Sequence, residues 1–208
     1  PEGVKGISLF VVPKFLVNAD GSLGARNDVR CVSIEHKLGI HASPTCVMKY
    51  GETDGAIGYL VGEENRGLNV MFIMMNAARL AVGVQGVAVA ERATQRAVAY
   101  AHERRQGRAA GTRAGDMAGD MAPIIEHADI RRNLMTMKAL TQAARAICLV
   151  TARETDIARR APDAAARAAA ADRAALLTPI AKAFSTDIGC EVASIGVQVH
   201  GGMGFIEE

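Results

Sequence analysis

The end of the chain brings together groups that can bind a ligand and move a proton. Gln198 supplies an amide, Gly201 and Gly202 open a glycine-rich turn, and Glu208 supplies a carboxylate. Glycine adopts backbone conformations that other residues avoid, so the main chain can approach a ligand closely. The simpler alternatives are a turn that only ends a helix and a solvated pair of glutamates. The pattern favours a cofactor-lined active site.

Further upstream, polar residues interrupt an apolar helix. Asn76 and Arg79 are three residues apart and share one helix face. An unpaired buried cation is very costly, so Arg79 requires a partner, either an acid of another helix or a bound ligand. Arg104 stands in a basic run that either ends a solvated helix or binds phosphate, for which a guanidinium offers several fixed donors.

Long helices must position these groups. Three are predicted, at 68 to about 105, about 129 to 159, and 179 to about 199. Gly83 and Gly86 are expected to permit close packing of the first helix. Pro162 breaks the chain before an alanine-rich helical segment at 164–175, and Pro179 caps or kinks the helix after it. The glycine- and alanine-rich segment 108–123 is predicted to be a mobile loop.

Short β-type runs precede the first helix. They occupy 7–12, 30–34 and 45–50, with turns at 18–21 and 52–55. Because these strands are too few to close a barrel, the predicted fold class is mainly α, a helical bundle after a β-rich segment.

Composition restricts the function classes. The chain has 208 residues, 50% hydrophobic and 22% charged, enough to bury a core. Its 24 basic and 22 acidic residues give a net charge of +2, without the broad basic field that nucleic-acid binding needs. Nucleic acid is therefore not an expected partner.

The cysteines and histidines are dispersed along the sequence. The four cysteines are far apart and form no CxxC pair, which predicts reduced thiols in a cytoplasmic protein and no zinc site. Each of the five histidines is expected to be structural or on the surface, so no metal is predicted. These residues are Cys31, Cys46, Cys148, Cys190, His36, His41, His102, His127 and His200.

One apolar stretch, 70–90, is long enough to cross a bilayer. It contains Asn76, Arg79 and Gln85, and a central arginine costs about 3 kcal/mol to insert. A buried bundle helix, and no membrane span, is the favoured interpretation. The absence of a signal peptide and the abrupt ends indicate a piece of a longer protein.

The residues from Gln198 to Glu208 resemble the acyl-CoA dehydrogenase pattern Q-x-x-G-G-x-G-F-x-x-E. Residues 76–83 and 100–104 resemble the long helix of that family's C-terminal domain. Residues 10–13, 38–45 and 62–67 resemble the last part of its middle β-domain. The likeness covers nearly the whole chain and is closest to the 3-methylmercaptopropionyl-CoA dehydrogenase branch. It implies part of the middle domain at 1–62 and the C-terminal helical bundle at 63–208.

The resemblance also implies roles for individual residues. It makes Glu208 the catalytic base and places Asn76 and Arg79 at the acyl-CoA. It places Arg104, Gln198, Gly201 and Gly202 on FAD, with Arg104 reaching the diphosphate from a neighbouring subunit. Some branches carry the base at the position of Ala78, which cannot take a proton, and Glu207 is the neighbouring competitor. The family follows its arginine with x-x-Phe-Gly, where this chain has Gly107 and Arg108.

The implied reaction is α,β-dehydrogenation of an acyl-CoA thioester. A carboxylate takes a proton while a flavin accepts hydride, which no amino acid can do. Free glutamate has a pKa of about 4.3, and burial beside Phe205 and Ile206 would raise it. The implied partners are an electron acceptor, such as an electron-transfer flavoprotein, and further copies in a homodimer or homotetramer. Alternatives are an acyl-CoA oxidase, a non-catalytic bundle and a nucleic-acid-associated relative. Residues 1–208 alone are expected to be colourless and inactive.

Overall fold

The computed structural model describes residues 2–108 and 121–207. The chain divides into two compact units, Pro1–Met74 and Met75–Glu208. The first unit includes the beginning of helix α1 (Gly67–Glu103) together with all the strands. The domain boundary proposed between residues 62 and 63 stays a prediction.

The strands of the first unit pair as three antiparallel ribbons. They are β1 (Leu9–Val11) with β6 (Tyr59–Val61), β2 (Phe15–Val17) with β3 (Leu23–Arg26), and β4 (Val29–Ile34) with β5 (Cys46–Tyr50). The predicted runs at 7–12, 30–34 and 45–50 correspond to β1, β4 and β5. The other three strands were not predicted as such.

A buried amide ties the segments between these ribbons together. The Asn27 Nδ2 group donates to the carbonyl oxygens of Pro13 and Ile57, both at 2.9 Å. Its Oδ1 accepts from the backbone N–H groups of Ile57 and Asp28, both at 3.0 Å. Four bonds satisfy the whole hydrogen-bonding capacity of the side chain, so its burial carries no unpaired polar group.

Two further helices, α2 (Ala128–Arg160) and α3 (Ala164–His200), follow α1. The predicted break at Pro162 is confirmed, and the Asp163 carboxylate caps α3 by accepting from the Ala166 N–H at 2.7 Å. The predicted separate helix from Pro179 is wrong, because α3 continues through that proline. Thr178, which precedes it, is buried and donates to the Ala174 carbonyl at 2.6 Å, so packing and alanine-rich flanks override the proline.

In the second unit α1 and α3 run parallel to each other, and their backbones nearly touch. A Cβ added to Gly86 would lie 2.2 Å from the Ser185 carbonyl oxygen, and one on Gly83 would lie 3.1 Å from that of Ala181. This confirms the predicted close packing at both glycines. The fully buried positions of the bundle are mostly alanines, so the helices approach each other closely.

Helix α1 is long and apolar enough to cross a membrane, by length and composition alone. Only 17% of its most apolar window is buried. The helix was expected to be buried in the bundle, and within residues 70–90 its burial is limited to one stripe, formed by Gly83, Gly86, Val87 and Ala90. Val84 and Val89 are about half exposed.

Candidate functional site

A cavity of about 810 Å³ lies where α1 and α3 end and α2 begins, within the second unit. All four residues that the sequence assigned to the cofactor line it: Arg104, Gln198, Gly201 and Gly202. The volume is within the range of about 300–1,000 Å³ that is typical of small-molecule sites. The structure therefore brings the predicted cofactor-binding residues together.

The glycine turn gives this cavity an open backbone wall. Gly201 ends α3 with φ 60° and ψ −135°, a conformation that residues with side chains rarely adopt. A Cβ placed on Gly201 or Gly202 would meet no atom within 4 Å, whereas one on Gly204 would lie 2.6 Å from the Val197 carbonyl oxygen. The first two glycines thus leave space for a ligand, and the third lets the turn fold back on α3.

Two aromatic rings form a flat wall of the cavity. Tyr100 and His200 stack with their centroids 4.5 Å apart and their planes 26° apart. The His200 Nδ1 atom lies 2.8 Å from the Gly196 carbonyl oxygen, which can only accept, so Nδ1 carries the proton. The other ring nitrogen, Nε2, is then the one that can meet a ligand in neutral histidine.

A short ladder holds the end of α1 in place. The Gln106 N–H donates to the Ala122 carbonyl and the Ala122 N–H donates to the Gly107 carbonyl, both at 2.9 Å. The Ile124 N–H donates to the Arg104 carbonyl at 2.8 Å. These bonds fix the backbone that carries the Arg104 guanidinium.

His127 lies in space beside Gly107, where this chain departs from the x-x-Phe-Gly pattern. Its Nε2 atom donates to the Gln106 carbonyl at 2.7 Å, and its ring lines the cavity. A Cβ added to Gly107 would lie 3.6 Å from the His127 Cε1 atom. The imidazole therefore borders the space where a side chain at residue 107 would begin.

The sequence did not predict that His127 and His200 would line this cavity. His200 lies inside the glycine-rich motif, and that position was a usable signal. His127 is about 23 residues away from Arg104 along the chain, and no spacing rule connects the two.

The predicted substrate-binding pair lies elsewhere on α1. The Arg79 residue is half-buried, and its Nη1 group donates to the Asn76 Oδ1 atom at 3.0 Å, so the amide is one partner of the guanidinium. Arg79 and Arg104 are separated by about 38 Å along the helix, at 1.5 Å per residue. The structure therefore does not bring Asn76 and Arg79 to the cavity of Arg104.

The predicted base, Glu208, lies outside the described residues, and its catalytic role stays a prediction. The apolar neighbours that were expected to bury it are exposed: 90% for Phe205 and 54% for Ile206. Glu207 is exposed as well. The mobile loop predicted at 108–123 falls mostly on residues 109–120, which also lie outside the described part.

Metal ligands do not cluster in the described ranges, where no group of three or more His, Cys, Asp or Glu could hold an ion. Cys31 and Cys46, which are far apart in the sequence, lie on the paired strands β4 and β5. All four thiols are free.

The cavity fits part of a dinucleotide. Arg104 offers charged donors to a diphosphate, the backbone at Gly201 and Gly202 is open, and the Tyr100 and His200 rings offer flat faces. Together with the three long helices, these features are those expected of a helical domain that contributes to a dinucleotide site.

The chain belongs to the acyl-CoA dehydrogenase family. The family model "Acyl-CoA dehydrogenase, C-terminal domain" matches residues 65–208. Over 208 residues the chain is 55% identical to the 3-methylmercaptopropionyl-CoA dehydrogenase of Ruegeria pomeroyi, covering 100% of this chain and 34% of that protein. It is 38% identical over 211 residues to a butyryl-CoA dehydrogenase of Syntrophomonas wolfei, covering 99% and 34%.

A solved structure agrees with these relatives. The Bacillus anthracis acyl-CoA dehydrogenase complexed with FAD superposes with a TM-score of 0.68 at 27% identity, covering 93% of this chain and 31% of that one. Its bound cofactor is the one predicted from the sequence. The chain spans about a third of the length of the relatives it matches.

Proposed function

We propose that the protein containing this chain is an FAD-dependent acyl-CoA dehydrogenase that introduces a double bond between the α and β carbons of an acyl-CoA thioester. The observation that carries this proposal is the 55% identity, over every residue of the chain, to the Ruegeria pomeroyi enzyme. That relative's name gives the proposed substrate, 3-methylthiopropanoyl-CoA.

The cavity at the end of α1 is proposed to hold the diphosphate portion of FAD. Arg104 binds the phosphate oxygens, Gln198 and the Gly201–Gly202 backbone donate to the same group, and the Tyr100–His200 pair packs on an adjacent flat ring. Bound FAD supplies a hydride acceptor, which the protein itself lacks. The chain's contribution is to position the cofactor and neutralise its charge.

The substrate is proposed to meet a different part of the chain. Asn76 and Arg79 contact the acyl-CoA, and Glu208 takes the α proton. Because Arg79 and Arg104 are so widely separated along α1, the two ends of this helix serve different ligand segments or different active sites. This agrees with the prediction that Arg104 reaches a cofactor held by another subunit.

An anaerobic titration of the full-length, FAD-loaded protein tests the activity. We expect 3-methylthiopropanoyl-CoA to bleach the flavin absorbance, and butyryl-CoA and longer esters to do so less completely. If no acyl-CoA bleached the flavin, the dehydrogenase assignment would be wrong and a non-catalytic or nucleic-acid-associated relative would be favoured. Hydrogen peroxide formed in step with turnover in air would instead indicate an acyl-CoA oxidase.

A homodimer or homotetramer is the proposed assembly, with an electron-transfer flavoprotein as the proposed acceptor. Large apolar side chains on the outer faces of α2 and α3 support association, with Met135 72%, Leu149 64% and Leu176 65% exposed. Light scattering of the full-length protein checks this, and a monomer at micromolar concentration would contradict it. A cytoplasmic location is also proposed, on the evidence of the free thiols.

A further inference from the structure

Two imidazole rings line the cavity at the end of α1, and each uses one nitrogen to donate to the backbone. The His200 Nδ1 atom lies 2.8 Å from the Gly196 carbonyl oxygen, and the His127 Nε2 atom lies 2.7 Å from the Gln106 carbonyl oxygen. A carbonyl oxygen can only accept, so each of these nitrogens carries a proton. In a neutral imidazole the remaining nitrogen is then an acceptor.

The two acceptors are therefore His200 Nε2 and His127 Nδ1. Neither forms a hydrogen bond with another residue in the part of the chain that the structure describes. Both residues are half-buried in the lining of the cavity. When a ligand displaces water from this cavity, an acceptor that is left without a donor costs free energy. The ligand is therefore expected to bring donors to these two positions.

The diphosphate that is proposed to bind Arg104 does not supply these donors. Phosphate oxygens accept hydrogen bonds, which suits a guanidinium, but they form no hydrogen bond with an unprotonated ring nitrogen. The groups of FAD next to the diphosphate do carry donors, because the ribose and the ribityl chain each have hydroxyls. A hydroxyl donates to one nitrogen and can still accept from a neighbouring group.

Contacts on the faces of the rings leave the two acceptor nitrogens open. Tyr100 stacks on one face of His200, with the centroids 4.5 Å apart, and does not cover the edge that carries Nε2. Gly107 lines the cavity beside His127 and has φ 65°, which residues with side chains rarely adopt. A Cβ at Gly107 would lie 3.6 Å from the His127 Cε1 atom, which joins the two nitrogens. A side chain at 107 would start against this edge of the ring, which glycine leaves open.

We propose that His200 Nε2 and His127 Nδ1 form a subsite that accepts hydrogen bonds from sugar hydroxyls of FAD beside the diphosphate. This inference rests on the proposed FAD-binding function and gives both imidazoles a direct contact with the cofactor. Arg104 neutralises the charge of the phosphates, whereas the imidazoles orient the neighbouring sugar.

Asparagine and glutamine substitutions separate the two nitrogens of each ring, because an asparagine amide reaches about as far as Nδ1 and a glutamine amide about as far as Nε2. His200→Gln keeps an acceptor near the place of Nε2 and loses the bond to Gly196, and His200→Asn does the reverse. His127→Asn keeps an acceptor near the place of Nδ1 and loses the bond to Gln106, and His127→Gln does the reverse. All four variants remove the ring itself.

The full-length apoprotein of each variant is titrated with FAD and followed by flavin fluorescence. We expect His200→Asn and His127→Gln to weaken binding by roughly 3- to 10-fold, as the loss of one hydrogen bond predicts. His200→Gln and His127→Asn should stay closer to wild type. His36→Asn, which changes an exposed histidine of the first unit, is the control. An unfolding curve that matches wild type for each variant ensures that the affinity reports on the cavity.

Two results of these titrations would overturn the proposal. If the rings only anchored the backbone, the opposite order of affinities would hold at both positions, because His200→Asn and His127→Gln retain the anchoring bonds. Equal affinities for all four variants and wild type would remove both imidazoles from the cofactor site.

Analogues of FAD identify the ligand group. They lack one ribose hydroxyl, lack one ribityl hydroxyl, or carry hypoxanthine in place of adenine and so lack its amino group. We expect a deoxy analogue to bind wild type more weakly than FAD does, and to bind His200→Asn or His127→Gln as tightly as FAD does. The analogue that behaves in this way shows whether the ribose or the ribityl chain lies in the subsite. Sensitivity confined to the hypoxanthine analogue would overturn the hydroxyl assignment.

The proposed function would fail in a different way. A wild-type full-length protein that bound no FAD would refute the proposed function together with this inference. If wild type bound FAD and an acyl-CoA bleached the flavin, while removal of a hydroxyl weakened binding equally in wild type and variants, only the hydroxyl subsite would be wrong.

Discussion

Gly86 and Gly189 face each other where α1 crosses α3, with the ideal Cβ position of Gly189 only 3.0 Å from the Gly86 carbonyl oxygen. Neither position can carry a side chain without moving a helix backbone, since the neighbouring atoms are main-chain atoms. The bundle that holds Arg104 and Gln198 at one cavity depends on this approach.

Gly86→Ala should therefore destabilise the protein. The added methyl would lie 2.2 Å from the Ser185 carbonyl oxygen, and overpacking of this kind costs about 1–3 kcal/mol. The gain in helix propensity is about 1 kcal/mol and does not offset a clash with backbone. Chemical denaturation of the full-length protein measures the difference. Gly39→Ala, where an added Cβ meets nothing within 4 Å, should leave stability nearly unchanged.

Arg104→Ala should weaken FAD binding by roughly 10- to 100-fold, because a charged hydrogen bond contributes about 1.5–3 kcal/mol. Arg104→Lys should recover only part of this, since an ammonium lacks the planar fork. The apoprotein titrated with FAD and followed by flavin fluorescence provides the measurement. Arg96→Ala, an exposed arginine on the same helix, is the control. Equal affinities for Arg104→Ala and wild type would remove this guanidinium from the cofactor site.

Asp28 should make stability depend on pH in the acidic range. Its Oδ2 atom accepts from the Thr53 and Asp54 N–H groups at 2.7 and 3.0 Å, and the Thr53 bond is the main cause that lowers the pKa of this carboxyl. A lowered folded-state pKa stabilises the fold above the ordinary value of about 3.9, and that contribution disappears as the pH falls through the folded-state pKa. Asp28→Asn should thus be less stable than wild type near neutral pH.

The difference between Asp28→Asn and wild type should shrink steadily below about pH 4. Unfolding midpoints across an acid-to-neutral series measure it, with Asp54→Asn as the control in the same turn. A gap that stayed constant at all pH values would show that the carboxylate's charge plays no part.

Glu208→Gln should lower turnover by about 10²- to 10⁴-fold if Glu208 is the base, because the amide cannot take a proton. FAD binding should be unaffected, which spectral titration verifies. Glu207→Gln, one residue earlier, should behave like wild type. Normal turnover in Glu208→Gln would remove Glu208 from the mechanism, and a loss of turnover in Glu207→Gln would make Glu207 the base. Since the relatives are about three times as long as this chain, normal turnover in both variants would point to a carboxylate outside residues 1–208.

How far the sequence predicts the structure depends on the range of the interactions involved. The ends of α1 and α2 lie within two residues of the predicted ones, because glycine, proline and helix-forming residues act locally. Pro179 was misjudged because tertiary packing along α3 outweighs the loss of one backbone donor. Arg104, Gln198, Gly201 and Gly202 were found through motif resemblance, and the structure adds that they line one cavity.

Contacts between distant segments escaped prediction. His127 reaches the cavity only because the ladder to Gln106 folds residues 121–127 against the end of α1. Cys31 and Cys46 are fifteen residues apart in sequence, and the register of β4 and β5 places them on the same face of one ribbon. Each lay in a predicted strand, so a hairpin pairing of those two runs was the signal available.

The bundle interior has an unusual thermodynamic character. Ala90, Ala97, Ala101, Ala144 and Ala181 are completely inaccessible to solvent, and alanine has no rotamers to lose when it is buried. Folding of this interior therefore costs little side-chain conformational entropy. The helices are held together by many weak dispersion attractions between closely spaced backbones. Substitutions at outward-facing positions should therefore be tolerated, because the specificity for this fold comes from the small size of the buried residues.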